Sequence, residues 1–180
     1  MMYTCTYLSP LGKILLAADE IGLTGLWFEG QKYFANTLPE ESVSKETEIL
    51  TEAKKWLDIY FSGEEPKFIP PLHPAGSAFR QVVWQILLEI PYGQTVTYGE
   101  IARKMNKMKN TSNSSCMSAQ AVGGAVGHNE VSVIIPCHRV VGTNGSLTGY
   151  AGGIEKKIAL LELEHADMSH LFVPKKATAL

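Results

Sequence analysis

Apolar residues recur with two different periods along the first part of the chain. Two short apolar stretches, residues 13–18 and 23–28, lie on either side of the polar sequence Asp-Glu-Ile-Gly, and this pattern predicts a β-hairpin. Between residues 46 and 61 the apolar side chains return every three or four positions, which predicts an amphipathic helix ended by Gly63. Prolines crowd residues 64–76 and block both helix and sheet there, so we predict a domain boundary between residues 74 and 75.

The second part of the chain predicts a series of short helices. Ser77 can cap the first of them, and Thr97-x-x-Glu100 is a capping box that begins the second. The predicted elements are, in order, a helix from Ser77 to Ile90, a helix from Thr97 to Met105, a flexible loop at 106–117, a small-residue helix at 118–126, a β-branched strand at 131–135, a tight turn at 143–145 and a last helix at 154–164. This order is compatible with a helix-turn-helix that carries a wing.

Composition and charge add little to this picture. Hydrophobic residues make up 45% of the chain and charged residues 19%, which is typical of a soluble globular protein. The net charge of −2 is uneven, with −5 over residues 1–76, +2 over residues 77–165 and +1 over the last fifteen. Arg103, Lys104, Lys107 and Lys109 form a basic run without an acid, but from charge alone a solvated helix end is a simpler interpretation than a phosphate-binding surface. Residues 166–180 are expected to be a disordered tail.

The cysteines indicate a compartment rather than a disulfide framework. Cys5, Cys116 and Cys137 are odd in number and widely spaced, which predicts free thiols in a reducing environment, the cytoplasm. No apolar run is long enough to cross a bilayer, and the first residues do not resemble a signal peptide. The cysteines and His73 lack the paired spacing of a zinc site, so we expect no metal.

The pair Cys137-His138 is the main candidate for chemistry. A thiol at neutral pH needs a nearby base or cation before it becomes nucleophilic, and His138 with a carboxylate such as Glu164 behind it could act as that base. On the two residues alone, a buried and inert cysteine beside an unrelated histidine is the simpler interpretation. The glycines at 123, 124 and 127 lack the surrounding βαβ pattern of a nucleotide-binding loop and indicate close helix packing or a DNA groove instead.

Several ordered motifs then point to one family. Residues 136–140 read Pro-Cys-His-Arg-Val and follow an apolar run and Asn129. This stretch resembles the active-site signature of the O6-alkylguanine-DNA alkyltransferases, or methylated-DNA–protein-cysteine methyltransferases. The resemblance covers residues 77–165 almost continuously, and Ser-Pro-Leu-Gly at 9–12 is similar to the family's N-terminal domain. Further motifs are Ile-Pro-Tyr-Gly at 90–93, Tyr-Gly-Glu-Ile-Ala at 98–102, Ala-Val-Gly at 121–123, Gly-Tyr-Ala-Gly-Gly at 149–153 and Lys-x-x-Leu-Leu-x-x-Glu at 157–164.

The resemblance implies both a fold and an activity. The fold is a small ribonuclease-H-like α/β domain with a short antiparallel sheet at 1–74, followed at 75–165 by a winged-helix-like domain that carries the cysteine. The activity is DNA repair by direct reversal, in which an alkyl group moves once and irreversibly from O6 of guanine, or O4 of thymine, to Cys137. The expected partner is double-stranded DNA whose damaged base is flipped out by the helix-turn-helix, and the protein is expected to be a monomer that needs no cofactor and binds no membrane.

The resemblance also implies roles for individual residues. Cys137 would be the nucleophile, and His138, acting through a water and oriented by Glu164, would be its base. Asn129 would brace the active-site turn, while Tyr98 would push on the target phosphate and donate a proton toward the leaving guanine. The residues expected to bind guanine or DNA are Arg139, Val140, Tyr150 and Ala151 around the pocket, and Gln120, Ala121, Gly123 and Gly124 on the recognition helix.

Three positions depart from the family's pattern. Gln120 stands where the family usually has an arginine that fills the gap left by the flipped base, so weaker DNA binding or slower flipping is expected. The segment from Met105 to Gln120 is longer than usual, and its lysines could supply compensating contacts; Glu130 replaces a proline with no expected consequence. Three alternatives stay open: a non-enzymatic lesion-binding protein, whose relatives lack the cysteine, a Cys-His hydrolase, and a transcription factor whose cysteine senses alkylation.

Overall fold

A four-stranded sheet forms the beginning of the chain. In the computed structural model, which describes residues 1–108 and 118–175, the strands are β1 (Met2–Ser9), β2 (Gly12–Ala18), β3 (Leu23–Phe28) and β4 (Ser42–Ser44). They lie in the order β3-β2-β1-β4, with β4 parallel to β1 and the other pairs antiparallel. The predicted hairpin of β2 and β3 is confirmed. Strand β1 was not predicted, because most of its side chains are only half buried and its apolar pattern is weak.

Helix α1 (Glu48–Phe61) follows the sheet. Its N-cap is Thr47, whose hydroxyl accepts a hydrogen bond from the backbone N–H of Leu50, so the helix begins two residues later than the periodicity predicted. It ends as predicted before Gly63, which has φ of +92°. The buried face of the helix consists of Leu50, Ala53, Trp56, Leu57 and Tyr60.

The chain divides into two compact units, and a short segment returns to the first of them. Unit 1 contains Met1–Ala75 together with Glu130–Ile134, and unit 2 contains Gly76–Asn129 together with Ile135–Leu180. The predicted strand at 131–135 is wrong. Its side chains are buried, but its backbone pairs with β3 only around Leu26, and Val133 turns the chain with φ of +70°. An apolar run indicates burial, and by itself it does not establish an extended backbone.

Unit 2 is mainly helical. Its helices are α2 (Ala78–Leu88), α3 (Tyr98–Met108), α4 (Ala119–Gly127) and α5 (Ile154–Leu163), and two short strands, β5 (Val96–Thr97) and β6 (Val140–Val141), pair in parallel. Helix α4 packs on α2 and α3. The predicted loop at 106–117 is wrong for residues 106–108, which continue α3 on its amphipathic pattern, and its remainder lies outside the described residues. Within the described ranges, no helix combines the length and the apolar character needed to cross a membrane.

The end of the chain is ordered as far as the structure describes it. Phe172 exchanges backbone hydrogen bonds with the turn after β6, accepting from Leu147 and donating to Gly145. Ala166, Met168 and Leu171 pack on a buried cluster of Val141, Leu147 and Leu161. The prediction of a disordered tail is therefore wrong for residues 166–175, because these apolar side chains cover part of the core of unit 2.

Candidate active site around Cys137

Cys137 lies at the start of a single 3-10 turn, Cys137–Arg139, directly after Pro136. Only 4% of its surface is exposed. The side-chain amide of Asn129 donates one hydrogen bond to the carbonyl of Ile135, at 2.8 Å, and another to the sulfur of Cys137, at 3.1 Å. One buried amide thus holds both the backbone before the turn and the thiol itself.

Burial decides the resting protonation state of this thiol. Desolvation raises the pKa of Cys137 above its ordinary value, although the hydrogen bond from Asn129 and the positive charge of Lys157 oppose that shift. The thiol form therefore predominates at neutral pH. Because the thiolate is the nucleophilic form, the site needs a base that removes the proton when the reaction occurs.

His138 is placed to be that base. It is fully buried, and its Nε2 lies 2.5 Å from a carboxylate oxygen of Glu164. Burial lowers the pKa of His138, even though Glu164 pulls in the other direction, so the imidazole is neutral at pH 7. Because a carboxylate can only accept, Nε2 carries the hydrogen of the neutral ring, and Nδ1 is left with the lone pair that can take a proton.

Glu164 holds several groups at once. Burial alone would raise its pKa, but hydrogen bonds from His138 and Arg139 and the charges of both hold the pKa well below its ordinary value. Its second oxygen accepts from Nε of Arg139 at 2.7 Å and from the backbone N–H of Gly93 at 3.0 Å. Glu164 is therefore ionised and fixed in position at any pH near neutral.

Arg139 does not lie where a DNA-contacting residue would. It is 8% exposed, and besides Glu164 it binds the carbonyl of Ile90 through Nη1 at 2.7 Å and lies over the ring of Tyr92. These contacts hold the loop after α2 against the end of α5. The geometry makes Arg139 a support for Glu164 and gives no basis for the predicted contact to guanine or DNA.

Two tyrosines lie near the cysteine. Tyr98 is 6% exposed, and its hydroxyl donates to the carbonyl of Thr148 at 3.2 Å. Tyr150 lies edge-on to His138 with ring centroids 6.5 Å apart, and among the described residues its buried hydroxyl has no hydrogen-bond partner. Burial raises the pKa of both phenols, so both remain protonated and able to donate. A buried donor without a partner is costly, which suggests that a ligand completes it.

The residues predicted to lie on a recognition helix divide between two faces of α4. Ser118 caps the helix by accepting from the backbone N–H of Ala121. Gln120, Ala121 and Gly124 are exposed, and a Cβ atom at Gly124 would meet nothing within 4 Å. Gly123 is buried with Val122 against the rest of unit 2, so it lies on the packing face and away from the predicted DNA surface.

Several contributing groups were not assigned from the sequence. The carbonyls of Val140 and Thr148 both accept from the ammonium of Lys157, and Gly93 supports Glu164. Lys157 could have been found, since it shares the buried face of α5 with Leu160 and Leu161, where a lysine is unexpected. Ala151 is half-buried beside Tyr150. In the ranges described, no three His, Cys, Asp or Glu residues are grouped as metal ligands.

Two domain families match the chain. Residues 2–74 match 6-O-methylguanine DNA methyltransferase, ribonuclease-like domain, and residues 78–166 match 6-O-methylguanine DNA methyltransferase, DNA binding domain. A methylated-DNA–protein-cysteine methyltransferase of Methanosarcina acetivorans is 44% identical, over 91% of this chain and 98% of its own length. The protein of the same name from Haemophilus influenzae is 41% identical, over 91% of this chain and 86% of its own length.

Solved structures agree with these matches. The structure of Mycobacterium tuberculosis OGT in complex with DNA has a TM-score of 0.77 and 40% identity, covering 91% of this chain and 92% of its own. An O6-methylguanine DNA methyltransferase from Methanococcus jannaschii has a TM-score of 0.62 and 30% identity, covering 98% of this chain and 99% of its own. The mixed α/β fold class predicted from the sequence is confirmed.

Proposed function

This chain belongs to the 6-O-methylguanine DNA methyltransferase family, and from that premise we propose that it repairs DNA by transferring an alkyl group from O6 of guanine to Cys137. The observation that carries the proposal is the geometry at the cysteine. A buried thiol held by Asn129 lies beside a neutral histidine whose orientation is set by an ionised carboxylate. This is the arrangement that an activated nucleophile requires.

The chemical step follows from the protonation states. His138 takes the proton of Cys137 on Nδ1 through a bridging water, and the resulting imidazolium is stabilised by Glu164 at 2.5 Å. The thiolate attacks the alkyl carbon, so a carbon–sulfur bond forms while the bond from carbon to O6 breaks and its electron pair stays on guanine. Tyr98 donates a proton to the leaving guanine, and the proton on His138 then returns through solvent to the Tyr98 phenolate, so both side chains end in their starting protonation states. The thioether product has no route back, so each molecule reacts once.

We propose that the pocket for the base is formed by Tyr150 and by backbone groups of the chain that follows Cys137. Tyr150 has a buried hydroxyl able to complete a hydrogen bond to guanine, and the backbone groups of Cys137, Val140 and Ala151 lie on the same stretch of chain. Because the target base is stacked in a duplex, it must first be flipped out, which costs a few kcal/mol of stacking and pairing. Contacts to DNA have to offset that cost.

Helix α4 is the element that we propose for these contacts. Its exposed side chains near the N-terminus are small or uncharged, with Gln120, Ala121 and Gly124 on the surface, so the backbone can approach DNA closely. Gln120 can hydrogen-bond to the base left unpaired, but it brings no charge. Arg103 and Lys107 on α3 are exposed and can bind phosphates, whereas Lys104 pairs with Glu89 and Lys109 lies outside the described residues.

Intact-protein mass spectrometry tests the proposed activity. The full chain is mixed with a duplex that contains one O6-methylguanine, and we expect the mass of one methyl group on Cys137. Cys137→Ala is expected to gain no mass, and Cys5→Ala, which changes the other described free thiol, is expected to react like the wild type. Wild-type protein that binds the lesion without gaining mass would instead be a damage-recognition protein. Loss of both binding and transfer would contradict the assignment as a whole.

We also propose a cytoplasmic location. Both described cysteines are free, which is expected where thiols are kept reduced. Cell fractionation followed by immunoblotting tests this location, and recovery from an oxidising compartment would contradict it.

A further inference from the structure

Lys157 is a buried cation that has no role in the proposed chemical step. Its side chain is 0% exposed, and it lies on the buried face of α5 together with Leu160 and Leu161. Its ammonium donates to the carbonyl of Val140 at 2.5 Å and to the carbonyl of Thr148 at 2.8 Å, and no described carboxylate forms an ion pair with it. A buried charge is costly unless it is paired, and a neutral side chain would avoid that cost. A charged residue at this buried position therefore indicates a functional role that offsets the cost of burying it.

The carbonyl of Thr148 connects Lys157 to the proposed proton donor. This oxygen accepts from Nζ of Lys157 at 2.8 Å and also from the hydroxyl of Tyr98 at 3.2 Å. A carbonyl oxygen has two lone pairs, so these two donors occupy both of them. The shorter bond is the one from the cation, as expected for a charge-assisted hydrogen bond. Lys157 thus fixes the acceptor that sets the direction of the Tyr98 hydroxyl.

The charge on Lys157 also affects how tightly Tyr98 is held. An oxygen that already accepts from an ammonium has less negative charge to offer a second donor. The hydroxyl of Tyr98 is therefore oriented by Thr148 but only weakly bound, as its 3.2 Å distance indicates. A hydroxyl that is oriented but weakly hydrogen-bonded can release its proton to guanine without first breaking a strong hydrogen bond. Burial lowers the pKa of Lys157 to about 8, so the ammonium form still predominates at neutral pH.

We propose that Lys157 is a positioning residue for alkyl transfer, which acts by fixing the Thr148 carbonyl and through it the proton-donating hydroxyl of Tyr98. This inference rests on the proposed function, because Tyr98 matters in this way only when a guanine leaves. A different role would be direct stabilisation of the Cys137 thiolate, since the positive charge of Lys157 lowers the pKa of that thiol. The two roles predict losses of different size for a reaction whose leaving group needs no proton: direct stabilisation of the thiolate predicts the same loss as in methyl transfer, and positioning of Tyr98 predicts a smaller one.

The experiment compares two reactions of the same cysteine in the full chain. One is single-turnover methyl transfer from a duplex containing O6-methylguanine, and the other is alkylation of Cys137 by iodoacetamide, whose iodide leaves without a proton. Lys157→Met keeps the length and apolar stem of the side chain but removes the charge. We expect it to slow methyl transfer about 10- to 100-fold, because the general acid, whose full contribution is about 100- to 10,000-fold, is misdirected but still present. Alkylation by iodoacetamide is expected to slow by a clearly smaller factor, which reflects only the rise in the pKa of Cys137 when the charge is removed. Lys156→Met, at the neighbouring half-buried position, is the matched control and is expected to leave both rates unchanged.

A double mutant separates positioning from a general structural role. In a Tyr98→Phe background the hydroxyl is gone, so Lys157→Met is expected to cause little further loss of methyl transfer. Fully additive losses, or an equal fall of both reactions in Lys157→Met, would overturn the proposal. If Lys157→Met does not fold, Lys157→Gln, which keeps a neutral hydrogen-bond donor, is tested in the same way, and a larger loss in methyl transfer than in the iodoacetamide reaction is again the expected result. Absence of methyl transfer by the wild type would contradict the proposed function itself.

Discussion

Replacing Glu164 with glutamine changes one buried carboxylate oxygen into an amide group while keeping the shape of the side chain. In the wild type one oxygen accepts from His138 and the other from Arg139 and Gly93. In Glu164→Gln the amide oxygen stays with Arg139 and Gly93, so the NH2 group faces Nε2 of His138. An amide NH2 can only donate, and the imidazole must therefore move its hydrogen to Nδ1. The lone pair that should take the proton of Cys137 is then on the wrong nitrogen.

The magnitude follows from what is lost. General bases contribute about 100- to 10,000-fold to a rate, and the loss of the correct histidine tautomer in the serine protease triad costs about 10,000-fold. We therefore expect Glu164→Gln to slow methyl transfer by about 1,000-fold at pH 7. Arg139 also loses its anionic partner while it stays 8% exposed, which is expected to cost about 3 kcal/mol of unfolding free energy.

The assay is rapid-quench measurement of methyl transfer to Cys137 from an O6-methylguanine duplex, together with urea unfolding of the same preparation. Glu162→Gln is the matched control, because Glu162 lies two residues away on α5 and is exposed; both its transfer rate and its stability are expected to stay at the wild-type values. A folded Glu164→Gln protein that transfers methyl at the wild-type rate would refute the reasoning, since His138 would then not need the tautomer that Glu164 imposes.

Three further predictions concern the supports of the site. Asn129→Ala removes the amide that donates to the Ile135 carbonyl and to Cys137, so we expect about 2 kcal/mol less stability in urea unfolding and a higher thiol pKa in the pH profile of iodoacetamide labelling; an unchanged profile would show that the amide does not tune the thiol. Gly145 has a φ of +89°, and in Gly145→Ala the added Cβ would clash with the backbone carbonyl of His170. We expect a cost of about 1–3 kcal/mol in unfolding free energy, seen as a fall of several degrees in the Tm of a thermal scan. An unchanged Tm would mean that the C-terminal segment moves away at little cost. The folded-state pKa of Glu164 is below its ordinary value of 4.5, so its contribution to stability is fully present above pH 4.5 and is lost as the pH falls toward the folded-state pKa. Urea unfolding of the wild type between pH 6 and pH 3 should therefore show a falling free energy of unfolding. The same dependence of this free energy on pH in Glu164→Gln would assign the loss to other groups.

Local signals predicted most of the helices and the hairpin of β2 and β3. Apolar residues at helical spacing, ended by Gly63 in α1 and capped by Ser77 in α2, located both helices to within two residues, because capping and amphipathic burial act within one or two turns. The same signals failed at residues 131–135. There an apolar run is buried without forming a strand, since the chain pairs only around Leu26 and turns at Val133. The apolar residues indicated burial correctly, whereas the backbone conformation of the segment depends on the elements that surround it.

The sequence by itself determined the family, and it predicted the nucleophile and its neighbouring base, because Cys137 and His138 are adjacent in an ordered series of motifs and their chemistry depends on residue type. Only the tertiary structure decided how that pair is supported. Arg139 turned out to be a buried partner of Glu164, and Lys157 turned out to join Val140 to Thr148, although each lies 17 to 25 residues away from a partner. Hydrogen bonds to backbone carbonyls leave no trace in residue type at the accepting position. Whether a lysine or an arginine reaches water or a buried oxygen is therefore settled by packing, and packing exists only once the chain has folded.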